Sequence, residues 1–125
     1  MICACQDEDA RVAERFLQAN RESRVIKDDS HFIVSLIRCL RCGRQYLSVF
    51  YELVDWSGGD DSQARNTIEV REDQVPQISE MGEEVTESYL DTLDLHGRHL
   101  RMVFPRGGDR GIEWVDGPLI HFPHD

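Results

Sequence analysis

The chain is nearly without lysine: Lys27 stands alone beside thirteen arginines. Basic residues are scarce in total, 14 Lys+Arg against 24 Asp+Glu, for a formal net charge of −10. That balance argues against a free-standing nucleic-acid binder, which neutralises phosphates with clustered Lys and Arg. No apolar run approaches the ~18 residues of a membrane-spanning helix. Nor does a basic stretch followed by an apolar one stand at the start, so no secretion signal is expected and the expected location is the cytoplasm. No serine lies in a nucleophile-elbow pattern, and no cysteine is spaced with a histidine as a nucleophile–base pair. These absences leave a small domain without a recognisable catalytic set.

There is nonetheless enough apolar material for a core: 40% of the 125 residues are hydrophobic, in a length that suits one domain over 1–125. The charge is local. Segment 69–94 holds nine acids (Glu69, Glu72, Asp73, Glu80, Glu83, Glu84, Glu87, Asp91 and Asp94) against Arg71 alone. The next stretch, 95–110, is positive through Arg98, Arg101, Arg106 and Arg110. Arginine favours bidentate ion pairs, so Arg98 and Arg101 are expected to pair with acids of the preceding segment.

The hydrophobic pattern predicts an α+β fold, a mostly antiparallel sheet with two helices. Asp7 is expected to cap a first helix carrying Ala10, Ala13 and Leu17 at helical spacing. A short strand is expected at 24–27. His31 to Leu40 reads as a central strand, apolar on both faces, and Tyr46 to Trp56 as its hairpin partner. A shorter strand follows at 66–71. The second helix is expected to begin near Pro76 and run to about Leu93, with Ile78, Met81, Val85 and Tyr89 on one face and Gly82 as an interruption. Strands at 98–104, 112–115 and 119–122 complete the pattern, with glycine-rich loops at 57–62 and 105–111.

The four cysteines form two close pairs, Cys3-Ala4-Cys5 and Cys39-Leu40-Arg41-Cys42. A C-x-x-C turn offers two sulfurs to one ion because its backbone curls around them, and Gly43 supplies the unusual dihedral that the turn needs. Because Cys39 to Gly43 lies between two expected strands, this piece resembles the zinc knuckle of zinc-ribbon and rubredoxin-like proteins. The resemblance covers those five residues and the flanking strands. It implies a zinc-knuckle hairpin and a structural zinc site with Cys3, Cys5, Cys39 and Cys42 as ligands, although the C-x-C half departs from the second C-x-x-C of a common ribbon. A redox C-x-x-C, a disulfide framework and four unconnected thiols are the competing readings. A site closed by four thiolates has no open position and is not catalytic.

Three functions follow. The favoured one is a non-enzymatic protein-binding module whose acidic surface engages a basic protein through Glu80, Glu83, Glu84, Glu87 and Asp91, spaced to line one helical face. In size and charge the chain resembles bacterial immunity proteins, small acidic inhibitors of toxins that are often nucleases, which implies an immunity-type role. The first alternative is a metal-dependent hydrolase using His96, His99 and His121, with His124 completing a second H-x-x-H pair. The second is a zinc-ribbon nucleic-acid adaptor, supported by Arg38, Arg41 and Arg44 around the knuckle.

Overall fold

The computed structural model describes residues 3–29, 31–53, 62–93, 95, 97–104, 111–117 and 119. Six strands form one antiparallel sheet: β1 (Arg21–Asp29), β2 (Phe32–Cys39), β3 (Gln45–Leu53), β4 (Ser62–Val70), β5 (His99–Phe104) and β6 (Gly111–Val115). Their order across the sheet is their order in the chain. The antiparallel α+β expectation therefore holds, while the expected strand at 24–27 extends back to Arg21 and that at 66–71 back to Ser62. Of the expected strand at 119–122, only Leu119 is among the described residues. The two glycine-rich loops lie outside them, apart from Ser62, which opens β4, and Gly111, which opens β6.

Register separates two apolar faces. Val34 lies opposite Val49 and Leu36 opposite Leu47; Val49 in turn faces Asn66, and Leu47 faces Ile68. The apolar residues among them belong to the larger core, together with Ile78, Val85, Leu90 and Leu95. The alternate set, Ile37 opposite Tyr46, faces the other way and packs with Cys5 and Leu17. A slip of one residue would exchange the two sets. β2 is thus an interior strand, buried at Val34 and Leu36 on the core face and part-buried at Ile33 and Ser35 on the other, so the expected cover on both faces is complete only on the first.

Helix α1 (Ala10–Ala19) lies on the second face, where Ala10 and Ala13 pack against Leu100, Ile112 and Trp114. Its cap is Asp9 rather than Asp7: the Asp9 carboxylate accepts from the Arg11 N–H at 3.0 Å, and Asp7 accepts from the Asp9 N–H at 2.8 Å. Asp9 has extended backbone angles while its carbonyl already accepts from the Ala13 N–H, which defines the capping position.

The expected single helix over 76–93 is three pieces. Helix α2 (Gln74–Met81) ends at Gly82, whose φ of +54° leaves the right-handed region. A 3₁₀ turn (Gly82–Glu84) follows, and then helix α3 (Glu87–Thr92). Thr86 is extended and caps α3, its hydroxyl accepting from the Tyr89 N–H at 3.1 Å. Among the described residues there are consequently three α-helices, not the expected two. Val85 enters the core from the extended segment between them, fully buried. The single lysine secures that segment to β1: Lys27 Nζ donates to the Val85 carbonyl at 2.9 Å.

Ile78 and Val12 separate the effect of core burial from mere apolarity. Ile78→Ala should cost about 2–5 kcal/mol in urea denaturation, since Ile78 is fully buried. Val12→Ala, at a position 40% exposed, should shift stability by less than about 0.5 kcal/mol.

Candidate metal centre

The β2–β3 turn positions two of the four thiols. Cys39 ends β2, and its carbonyl accepts from the Gly43 N–H at 2.8 Å while its own N–H donates to the Arg44 carbonyl at 2.9 Å. Gly43 takes a φ of +81°, a conformation that a side chain would strain. The turn directs backbone N–H groups of Arg41 and Cys42 at the Cys39 sulfur, and that of Arg44 at the Cys42 sulfur. Cys39 is fully buried and Cys42 exposed.

A 3₁₀ turn at Ala4–Gln6 positions the other two. The Gln6 N–H donates to the Cys3 carbonyl at 2.9 Å and the Asp7 N–H to that of Ala4 at 3.1 Å. This tight winding lets Cys3 and Cys5 face the hairpin together. Cys3 Sγ lies 3.8 Å from Cys39 Sγ, and Cys5 Sγ 3.6 Å from Cys42 Sγ. All four sulfurs fall within 4.8 Å of one another, and all four cysteines are free. They are close enough to hold a metal ion. A tetrahedral zinc with Zn–S bonds of ~2.3 Å needs sulfurs about 3.8 Å apart, so the donor set and its spacing fit that ion.

Two neighbours that the sequence did not single out support the cluster. Tyr46, buried on β3, donates its hydroxyl proton to Cys5 Sγ at 3.0 Å. Gln6 Nε2 donates to the Tyr46 hydroxyl at 2.6 Å. The alternation of β3 placed Tyr46 on the face away from the main core, but nothing in the sequence tied it to Cys5.

The thiols differ in acidity. Burial pushes Cys5 far above the usual thiol range, against the opposing hydrogen bond from Tyr46. Burial raises Cys39 too, although backbone N–H groups of Cys42 and Arg41 work in the other direction. Burial also resists ionisation of Cys42, but hydrogen bonds from the backbone and guanidinium of Arg44 and from neighbouring thiols outweigh it and bring Cys42 down to about 7.

The other candidate residues are dispersed. Glu80, Glu83, Glu84, Glu87 and Asp91 are all exposed, but they sit on α2, the 3₁₀ turn and α3 rather than on one helical face. Partial burial, and then the neighbouring Asp91 carboxylate, push the Glu87 carboxyl above the usual carboxylate range. The expected pairing of Arg98 and Arg101 with the described acids of 69–94 is not made: Arg98 lies over the Trp114 ring at 4.0 Å, and Arg101 stands opposite Glu113. Around the turn, Arg38 is 3.8 Å from Glu22 and Arg44 is 3.6 Å from Glu69, so two of the three local cations have counter-ions. His99 is buried, its Nδ1 2.9 Å from the Gly97 carbonyl oxygen. His96, His121 and His124 lie outside the described residues.

Compared with protein-family models, curated proteins and solved structures, the chain shows no match.

Metal affinity should rise with pH, because a thiol must lose its proton to become a ligand. The slope should be steeper below pH 7 than above it by about one proton, since Cys42, at about 7, then also has a proton to lose. A zinc titration against a competing chelator from pH 6 to 8 reads this directly. Tyr46→Phe, which removes the hydrogen bond to Cys5, should weaken zinc about tenfold in the same assay.

Proposed function

We propose that this chain is a non-enzymatic protein-binding module in which a structural zinc ion, held by the thiolates of Cys3, Cys5, Cys39 and Cys42, fixes the N-terminal segment to the β2–β3 hairpin. The observation that carries the metal reading is the convergence of four sulfurs within 4.8 Å from two segments far apart in sequence. The direct contacts between the sulfurs themselves are two weak thiol pairs, which give four thiols little reason of their own to converge. Four thiolate ligands close the coordination shell, leave no site for water and suit a structural role. The position of the C-x-x-C on a strand–strand turn argues against a redox pair, which draws its acidity from a helix N-terminus.

The proposed partner is a basic protein, received in the cytoplasm by Glu80, Glu83, Glu84, Glu87 and Asp91. All five are exposed, and none pairs with a cation among the described residues. A field of like charge speeds and orients association with a partner of opposite sign. An immunity-type inhibitor of a basic toxin is the form of this reading that the size and charge suggest.

Elemental analysis of the purified chain should find one zinc per molecule, lost in Cys39→Ser. Removing it with a strong chelator should lower the melting temperature. A metal-free chain of unchanged melting temperature would overturn the structural role. For the acidic surface, proteins captured from native cells by the tagged chain should be released by the combined Glu83→Lys, Glu84→Lys and Glu87→Lys change. Unaltered capture would dismiss that surface as the binding site.

A further inference from the structure

The sheet face that carries α1 is only partly covered. Beside the helix lies a groove of about 770 Å³, walled by Arg11, Arg15 and Gln18 of α1 and floored by Arg65 of β4, Met102 of β5 and Ile112 of β6. Its volume falls within the ~300–1,000 Å³ usual for small-molecule sites. A smaller hollow of about 120 Å³, which also has Arg65 in its lining, is bordered by the hydroxyl side chains of Ser23, Ser35 and Ser48.

Arg65 decides what the groove can hold. It sits on a strand paired on both sides, level with Phe50 of β3 and Met102 of β5, and is half-buried. Among the described residues Arg65 has no carboxylate partner within 4 Å, and neither have Arg11 and Arg15. In a chain with 24 acids and 14 basic residues, this is a marked local reversal. The carboxylate that also lines the groove, Glu14, is largely buried and accepts from Gln18 Nε2 at 2.7 Å. Among the described lining residues, three guanidiniums against one carboxylate leave a net positive charge of about two, the magnitude that a phosphomonoester carries, about −1.5 to −2. Guanidinium forks match phosphate oxygens geometrically.

We propose that this groove binds a phosphorylated small molecule, the phosphomonoester held by Arg11, Arg15 and Arg65 and the uncharged part resting on Met102 and Ile112. The site shares no residue with the four-cysteine cluster.

The test titrates the full chain, as purified, with adenosine monophosphate, adenosine and inorganic phosphate, following backbone amide shifts by NMR. Adenosine monophosphate should saturate and move amides around Arg15, Arg65, Met102 and Ile112. Adenosine should bind at least tenfold more weakly. Arg65→Gln, and separately Arg15→Gln on the exposed helix surface, should each weaken the nucleotide at least tenfold without lowering the melting temperature; Arg38→Gln should not weaken it. Equal affinity for adenosine and its monophosphate would overturn the proposal, as would a nucleotide affinity indifferent to both groove substitutions. Inorganic phosphate binding as tightly as the nucleotide would reduce the site to an anion contact and overturn it too. A single-stranded oligonucleotide binding at least a hundredfold more tightly than the monophosphate would replace the proposal with a nucleic-acid surface.

Discussion

Four sulfur atoms meet where the N-terminal segment reaches the β2–β3 turn. Cys3 and Cys5 come from a short 3₁₀ turn, Cys39 and Cys42 from the β2–β3 turn, and all four sulfurs lie within 4.8 Å. Thiols are weak hydrogen-bond partners and thiolates repel one another, so bare sulfurs supply little reason to stay together. A bound cation would supply that reason. Its effect would extend beyond the cluster, because the same segment leads through Asp7 and Asp9 into α1, and the Asp7 carbonyl accepts from Trp114 Nε1 on β6 at 2.8 Å. The cysteines sit at one side of the sheet and Trp114 at the other edge strand. The segment 3–9 and α1 therefore cross the face that they cover.

The opposite face is organised by apolar contact. Strand register puts Val34, Leu36, Leu47, Val49 and Ile68 in one layer, and α2, the 3₁₀ turn and α3 lie over it. The broken backbone of that cover has a physical cause. Gly82 adopts a positive φ, and Thr86 satisfies an N–H of the next helix only from an extended conformation. Val85, between them, reaches the core without being part of a helix. The acids that an unbroken helix would have lined up on one side are thus spread over three short elements, a broader and less regular surface than helical spacing implies.

Charge follows the same division between pattern and placement. Arginines near an edge or turn have acids to meet, as Arg38 and Glu22 or Arg44 and Glu69 do. On the α1 face, Arg11, Arg15 and Arg65 meet Glu14 as the one acid among the described groove-lining residues. A chain of net charge −10 consequently carries a positive groove, which no average over the chain reveals.

The sequence by itself determined the elements with strong period: the apolar two-faced β2, its hairpin with β3, the first helix, and the cysteine pairs with glycine after the second. These are local, since side-chain alternation and turn chemistry act over a few residues. It also contained signs of the break between α2 and α3, a glycine and a capping threonine, but the regular spacing of Ile78, Met81, Val85 and Tyr89 outweighed them. Only the tertiary structure decided that Cys3 and Cys5 reach Cys39 and Cys42, that Tyr46 donates to Cys5, and that Arg65 shares a groove with Arg11 and Arg15. Each of these joins residues more than thirty positions apart. Such contacts are set by strand order and by the crossing of α1 over the sheet, which no local periodicity encodes.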